Sequence, residues 1–320
     1  MKRSPNSRTL TVIAITVLLG AVLLVVPSAR SCETPVYRYA MYNWVPADFE
    51  VYYLHDGNDH PEDAAANRVL DGSLGPASEV ANVVWIGVDT SREDQLSRLP
   101  EEVRRAWQSH DSQAVPLYVV LNPRGTVLFT GRLDESQAKA MIDSPARRKI
   151  AQLLHDGHSG VLLLLTSDDE AANTAAAEAV DEVVRMAANG EIEADSLPGI
   201  EVDVQDVEVQ DVDAEEPTFG VLKISRDDES ESWLVRMLLS VEDDLSGYDD
   251  PMLFGIYGRG RALEPYIGAG IVASNLAQCV SFIRGACSCL VKEQNPGMDL
   301  LCRWDWDATA AAIAERVGEE

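Results

Sequence analysis

Residues 115–128 read Val-Pro-Leu-Tyr-Val-Val-Leu-Asn-Pro-Arg-Gly-Thr-Val-Leu, and this stretch constrains the fold more than any other. An apolar run, 117–121, meets the turn Asn122-Pro123-Arg124-Gly125, and a second apolar run, 127–129, follows. Turn residues flanked by β-branched runs predict a β-hairpin. A related pattern stands at 251–263. Between 116–128 and 251–263 the proline, the Arg-Gly pair and the closing leucine coincide without a gap.

Around the first hairpin the pattern alternates strand and helix. Residues 49–54 read as a strand ended by His55-Asp56-Gly57, and 61–70 as a helix with Pro61 near its start. Residues 83–88 form a second apolar strand. Leu96, Leu99, Val103 and Trp107 are spaced for a helix, with Pro100 near its start or at a break. After the hairpin, 135–154 reads as a helix that Pro145 divides. The order β-α-β-α-β-β-α predicts a mixed sheet with helices on its faces.

Over 49–154 this order resembles the thioredoxin fold. Val115-Pro116 stands where thioredoxin-like proteins carry a cis-proline, and Asn122-Pro123-Arg124-Gly125 suits the family's turn. The resemblance implies a cis bond at Pro116. Thioredoxins place Cys-x-x-Cys after the first strand; here that place reads His55-Asp-Gly-Asn-Asp-His60-Pro61. Without the thiolate, dithiol–disulfide exchange has no nucleophile. His55 and His60, with Asp56 and Asp59, offer divalent-cation ligands, or else only a turn and a helix cap.

The second half repeats the scheme. Residues 161–165 are an apolar strand, 169–188 an Ala-rich helix ended by Gly190, and 218–225 and 233–241 further strands. The hairpin at 251–263 leads to a helix at 274–285, which makes Pro251 a second cis-proline candidate. Two thioredoxin-like units in tandem are expected, 32–156 and 157–320, both without Cys-x-x-Cys. Within the second, 192–216 alternates Val202, Val204, Val207, Val209 and Val212 with acids, as an amphipathic strand would. Its Asp203, Asp206, Asp211 and Asp213 could also ligate calcium, although no Asp-x-Asp-x-Asp-Gly loop is present.

Residues 1–31 read as a signal peptide or membrane anchor. Lys2, Arg3 and Arg8 precede an apolar run, 10–26, that Pro27 ends. Cleavage after Ser31 would leave Cys32 first, which also makes Cys32 a lipidation candidate, although Ala29 and Arg30 depart from a lipobox. Each outcome places the rest of the chain outside the cytoplasm, facing periplasm or exterior. The net charge of -27 argues against nucleic acid as a partner. That charge is uneven: residues 159–320 hold 34 acids against 10 bases.

Cys279, Cys287, Cys289 and Cys302 cluster in the second half. In an oxidising compartment two disulfides are the default. Cys287-Ser-Cys289 could instead close a small, labile redox ring, or the four thiolates could hold copper or zinc. No Gly-rich phosphate loop, Gly-x-Ser-x-Gly elbow or His-Glu-x-x-His is present, so no cofactor and no common catalytic site is expected. The favoured function is a tethered or exported binding or assembly protein with redox-inactive domains, accessory to an envelope complex and meeting a protein partner. The alternative is a thiol redox or metal-handling protein working through Cys287 and Cys289.

Overall fold

A computed structural model describes residues 34–71, 80–193, 218–287 and 291–318. The first half runs α1 (Val36–Asn43), β1 (Phe49–His55), α2 (Ala64–Asp71), β2 (Val80–Ala81), β3 (Val83–Asp89), α3 (Glu93–Leu96), α4 (Glu101–Ser109), β4 (Leu117–Leu121), β5 (Val127–Gly131), α5 (Glu135–Ile142) and α6 (Pro145–His155). The second runs β6 (Gly160–Thr166), α7 (Glu170–Ala188), β7 (Phe219–Ser225), α8 (Ser232–Leu238), β8 (Met252–Tyr257), β9 (Arg261–Ala262), β10 (Tyr266–Ile267), α9 (Ala273–Arg284), β11 (Met298–Asp299), β12 (Arg303–Trp304) and α10 (Trp306–Val317). The fold is α/β, with two mixed sheets flanked by helices.

The first sheet has the order β3-β1-β4-β5, with β1 parallel to β3 and antiparallel to β4, and β4 antiparallel to β5. In the second sheet β7-β6-β8-β9 repeats that order and those directions, and β11 extends it beyond β9. Both hairpins therefore form. The Val115–Pro116 bond is cis. The Asp250–Pro251 bond, a cis candidate by repetition, is trans. Arg226 donates to the Tyr248 and Asp250 carbonyls, and Gly268 N–H donates to the Pro251 carbonyl, so the loop reaches β8 without a cis bond.

Local chemistry accounts for most boundaries. Asp169 accepts from Ala171 N–H and Ala172 N–H and caps α7; Gly190, at φ +68°, follows its end. Asp134 and Gln137 form a reciprocal capping box on α5. Ser144 caps α6, and Pro145 is its first residue, so the proline opens a helix rather than kinking one. One expectation fails: 233–241 is not a strand, because α8 occupies its start. Trp233, Leu234, Val235, Met237 and Leu238 are all buried. A run this short and mostly apolar, with Arg236 its one charged residue, shows no clear period that separates helix from strand. The alternating stretch 192–216 lies almost entirely outside the described residues, with its four aspartates.

The two sheets face one contiguous core. Val51, Tyr53, Tyr118 and Val120 of the first sheet meet Val161, Leu163, Met252, Phe254 and Ile256 of the second through α6 and α8. The opposite face of the first sheet, with Tyr52, Leu54, Val119 and Leu121, packs under Leu99 and Val103. The opposite face of the second, with Leu162, Leu164, Leu253 and Tyr257, is covered by α7, α9 and α1. β6 is buried along its whole length, as a central strand with both faces covered must be.

The ends of the described chain cross between the halves. The first helix, α1, lies on the second sheet's outer face: Val36 N–H donates to Gly285 O at 2.9 Å, and Cys287 N–H to Thr34 O at 3.0 Å. At the other end, β12 pairs with β2. Asn82 donates to Ala47 O and Leu300 O and accepts from Cys302 N–H. Residues from 34 onward form one compact unit, and its core does not divide at 156–157. No described helix is long and apolar enough to cross a membrane, and residues 1–33, with the apolar run and Cys32, lie outside the described residues.

Candidate functional site

At the carboxyl end of β1, period-two alternation puts Tyr53 and His55 on one face. Their rings stack at 5.4 Å. Trp85 of β3 lies 6.0 Å from Tyr53 and Tyr118 of β4 lies 4.9 Å away, completing an aromatic panel across three strands. The Leu54↔Leu117 pairing brings the end of β1 to the start of β4, which Pro116 precedes.

Polar groups from the turn before α2 close over the panel. Asp63 is 2% exposed; it accepts from Tyr53 Oη at 2.9 Å and from Arg132 Nη2 at 2.6 Å. Tyr118 Oη donates to Asn67 Oδ1 at 2.7 Å. Burial, reinforced by Asp63, pushes both tyrosine hydroxyls well above their ordinary range, so they remain protonated donors.

His60 Nε2 lies 2.8 Å from Asp56 Oδ1, and its Nδ1 lies 3.7 Å from Glu62 Oε1. The bond to Asp56 holds His60 above its ordinary pKa; hydrogen bonds from His60 and Asn58 push Asp56 down to about 2. Glu62 is lowered first by its own backbone N–H. Ligand atoms of His60, Glu62 and Asp63 all lie within 4.8 Å of one another, close enough to share a cation.

That set differs from the one expected. His55 is outside it, because its Nδ1 accepts from Gly57 N–H at 3.1 Å and its ring lies on Tyr53. Asp56 orients His60, and Asp59 is not part of the group. Glu62, Asp63 and Arg132 were not legible as a site. Arg132 comes from the far end of β5, 69 residues from Asp63, and already supplies a guanidinium to both carboxylates. The arrangement gathers two carboxylates, an imidazole and a guanidinium, and it contains no thiol.

The matching end of β6 is built differently. Asn173 clasps Ser167, accepting from its N–H and donating to its carbonyl, while Asp169 caps α7. Asp168, Asp169, Asp227, Asp249 and Asp250 surround Arg226 in a depression of about 340 Å3.

The cysteines do not converge. Cys279, on α9, packs against Gly255 on the outer face of the second sheet. Cys302 belongs to the central core on the other face. Both are free, and burial pushes each thiol up to about 12. The sheet between them rules out a four-thiolate metal set here, and two disulfides among the four cysteines are not formed. Cys287 is buried; Cys289 lies outside the described residues. Compared with protein-family models and with curated proteins, the chain matches none.

Proposed function

We propose that this chain is an extracytoplasmic binding or assembly protein, exported or tethered by its N-terminal segment, built on two thioredoxin-like units that lack a dithiol. A protein partner, in an envelope complex, is the role that suits such a scaffold. The observation that carries the reading is chemical. Neither strand end where this fold would present Cys-x-x-Cys has a thiol: β1 leads into His55-Asp56-Gly57-Asn58-Asp59-His60 and β6 into Ser167-Asp168-Asp169. The repeated strand order and the cis Val115–Pro116 bond support the thioredoxin likeness. Thiols pushed up to about 12 carry almost no thiolate at neutral pH, so Cys279 and Cys302 are inert as nucleophiles.

The test is a native thiol titration of the exported protein, paired with a disulfide-reductase assay. Cys279 and Cys302 should react only after denaturation, and reductase turnover should be absent. A Cys287–Cys289 bond that cycles at a mild potential would replace this reading with the thiol-redox one.

A further inference from the structure

Between α1, the end of α6 and the last turns of α10 lies a cavity of about 390 Å3. Its apolar lining comes from all three helices: Met41 of α1, Leu154 of α6 and Ile313 of α10. Met41 and Leu154 belong to the central core and Ile313 packs against it, so the apolar surface is continuous with the interior. A concave apolar site of this size, with a few placed polar groups, is the usual form of a small-molecule site.

The polar lining is held by backbone. In the turn from α6 to β6, Gly157 N–H donates to Leu154 O and His158 N–H to Leu153 O, each at 3.2 Å, and Ser159 N–H donates to Thr218 O at 2.9 Å. His158 Nδ1 lies 2.9 Å from Thr218 Oγ1, while its Nε2 makes no hydrogen bond among the described residues. Arg316 donates through Nε to Ala312 O and through Nη2 to His155 O. Its Nη1 stands over Gly157, 3.5 Å from where a Cβ would lie, and both residues line the cavity. Among the described residues, no carboxylate pairs with Arg316.

The charge of this lining runs against the composition of the chain, which has 53 acids to 26 bases. Here Arg38 and Arg316 face a single carboxylate, Asp156, whose Oδ1 accepts from Gln152 Nε2 at 2.7 Å. The guanidiniums exceed the carboxylate by one positive charge, which matches a monoanion. Guanidinium donors suit the oxygens of a carboxylate, and hydrogen bonds between ionised partners are the strong ones.

We propose that this cavity binds a small monoanionic carboxylate with an apolar body: the tail packs on Met41, Leu154 and Ile313, and the carboxylate accepts from Arg316 Nη1 beside His158 and Arg38. The site draws on neither the thioredoxin likeness nor the cysteines.

The test uses sodium octanoate on the full chain, below its micellar concentration and at constant ionic strength, followed by calorimetry and by methyl NMR. 1-Octanol and octylammonium chloride carry the same tail without the negative charge, and sodium acetate carries the charge without the tail. Octanoate should bind saturably at one site and move the methyl resonances of Met41 and Ile313. Octanol should bind about tenfold more weakly, the worth of one hydrogen bond to a charged group, and acetate more weakly still for want of buried methylenes. Octylammonium should not bind there. Arg316→Gln, an exposed substitution, should weaken octanoate about tenfold and leave octanol unchanged. Ile313→Trp, which fills the cavity, should weaken both together. Should Ile313→Trp fail to fold, the Met41 and Ile313 resonances of the unaltered chain still locate the ligand. Absence of saturable octanoate binding, octanoate affinity indifferent to Arg316→Gln, equal binding of octylammonium, or binding that leaves the Met41 and Ile313 methyls unmoved would each overturn the proposal.

Discussion

The two sheets share strand order, strand directions and a hairpin at a constant offset, yet they turn opposite faces to the core between them. On the first sheet, Tyr118 and Val120 point to the centre, toward α2 and α5. The hairpin-equivalent residues of the second, Leu253 and Gly255, point outward to α7 and α9. The residues that point to the centre there are Met252, Phe254 and Ile256, equivalents of Leu117, Val119 and Leu121, which lie under α4 on the first sheet's outside. One strand pattern therefore serves two environments. The outward face of the second sheet needs extra cover, and α1 supplies part of it.

The joint between the two halves is where this comparison breaks most easily. Arg147 is 1% exposed; it donates to Ser144 Oγ and to the carbonyls of Ala140, Met141 and Leu301. Ser144 Oγ–H and Ala146 N–H in turn donate to the buried carboxylate of Glu231. This network ties α5, α6, α8 and the tail together. Arg147→Met should cost about 3–5 kcal/mol, because the carbonyls of Ala140, Met141 and Leu301 lose their donor at about 1–3 kcal/mol each. Equilibrium urea unfolding checks it, with one probe in each half. Both probes should still report one transition, shifted to lower urea by the same amount; a shift at one probe alone would show that the halves do not rely on the joint.

A smaller effect sharpens the same contrast. Gly255 occupies the position of Val120, and a Cβ there would collide with Cys279 Sγ. Gly255→Ala should destabilise by about 1–3 kcal/mol through overpacking. Adding Cys279→Ala should recover much of that loss, since the sulfur fills the space a side chain would take. The denaturation midpoints of the single and double variants measure the coupling. Additive losses would mean that the sulfur is not the obstacle.

The smallest effect concerns the strand ends, where only the first unit carries a histidine. Asp56 raises the His60 pKa, so this contribution is complete below about pH 6.5 and fades as pH rises through the folded value. Asp56, pushed down to about 2, contributes above its ordinary range near about 4 and loses that contribution as pH falls. The contact is therefore at full strength between about pH 4 and 6.5. Asp56→Asn should return the NMR-titrated pKa of His60 toward its ordinary value. An unchanged titration would show that Asp56 does not hold the ring.

Legibility in the sequence followed the range of the cause. The hairpins could be read because Pro116, Gly125 and Gly260 act within a few residues; Gly125 and Gly260 both take positive φ. The Asp169 and Gly190 ends of α7 were local for the same reason. α8 was mistyped because a run this short and mostly apolar shows no clear period. At the candidate site, His60 and Asp56 were visible as neighbours in sequence. Asp63 and Arg132 were not, because only the β4–β5 hairpin, registered on β1, carries the guanidinium to the α2 turn.

The sequence by itself determined the strand and helix order of the first half, the repeated hairpin and the absence of a dithiol at either strand end. These follow from backbone geometry and residue chemistry over a few positions. Tertiary structure alone decided that Cys279 and Cys302 lie on opposite faces of one sheet, that the ends of the described chain cross between the halves, and which sheet face is inside. Apolar burial is non-directional. A hydrophobic strand face specifies only that it must be covered, and what covers it is settled when the whole chain packs.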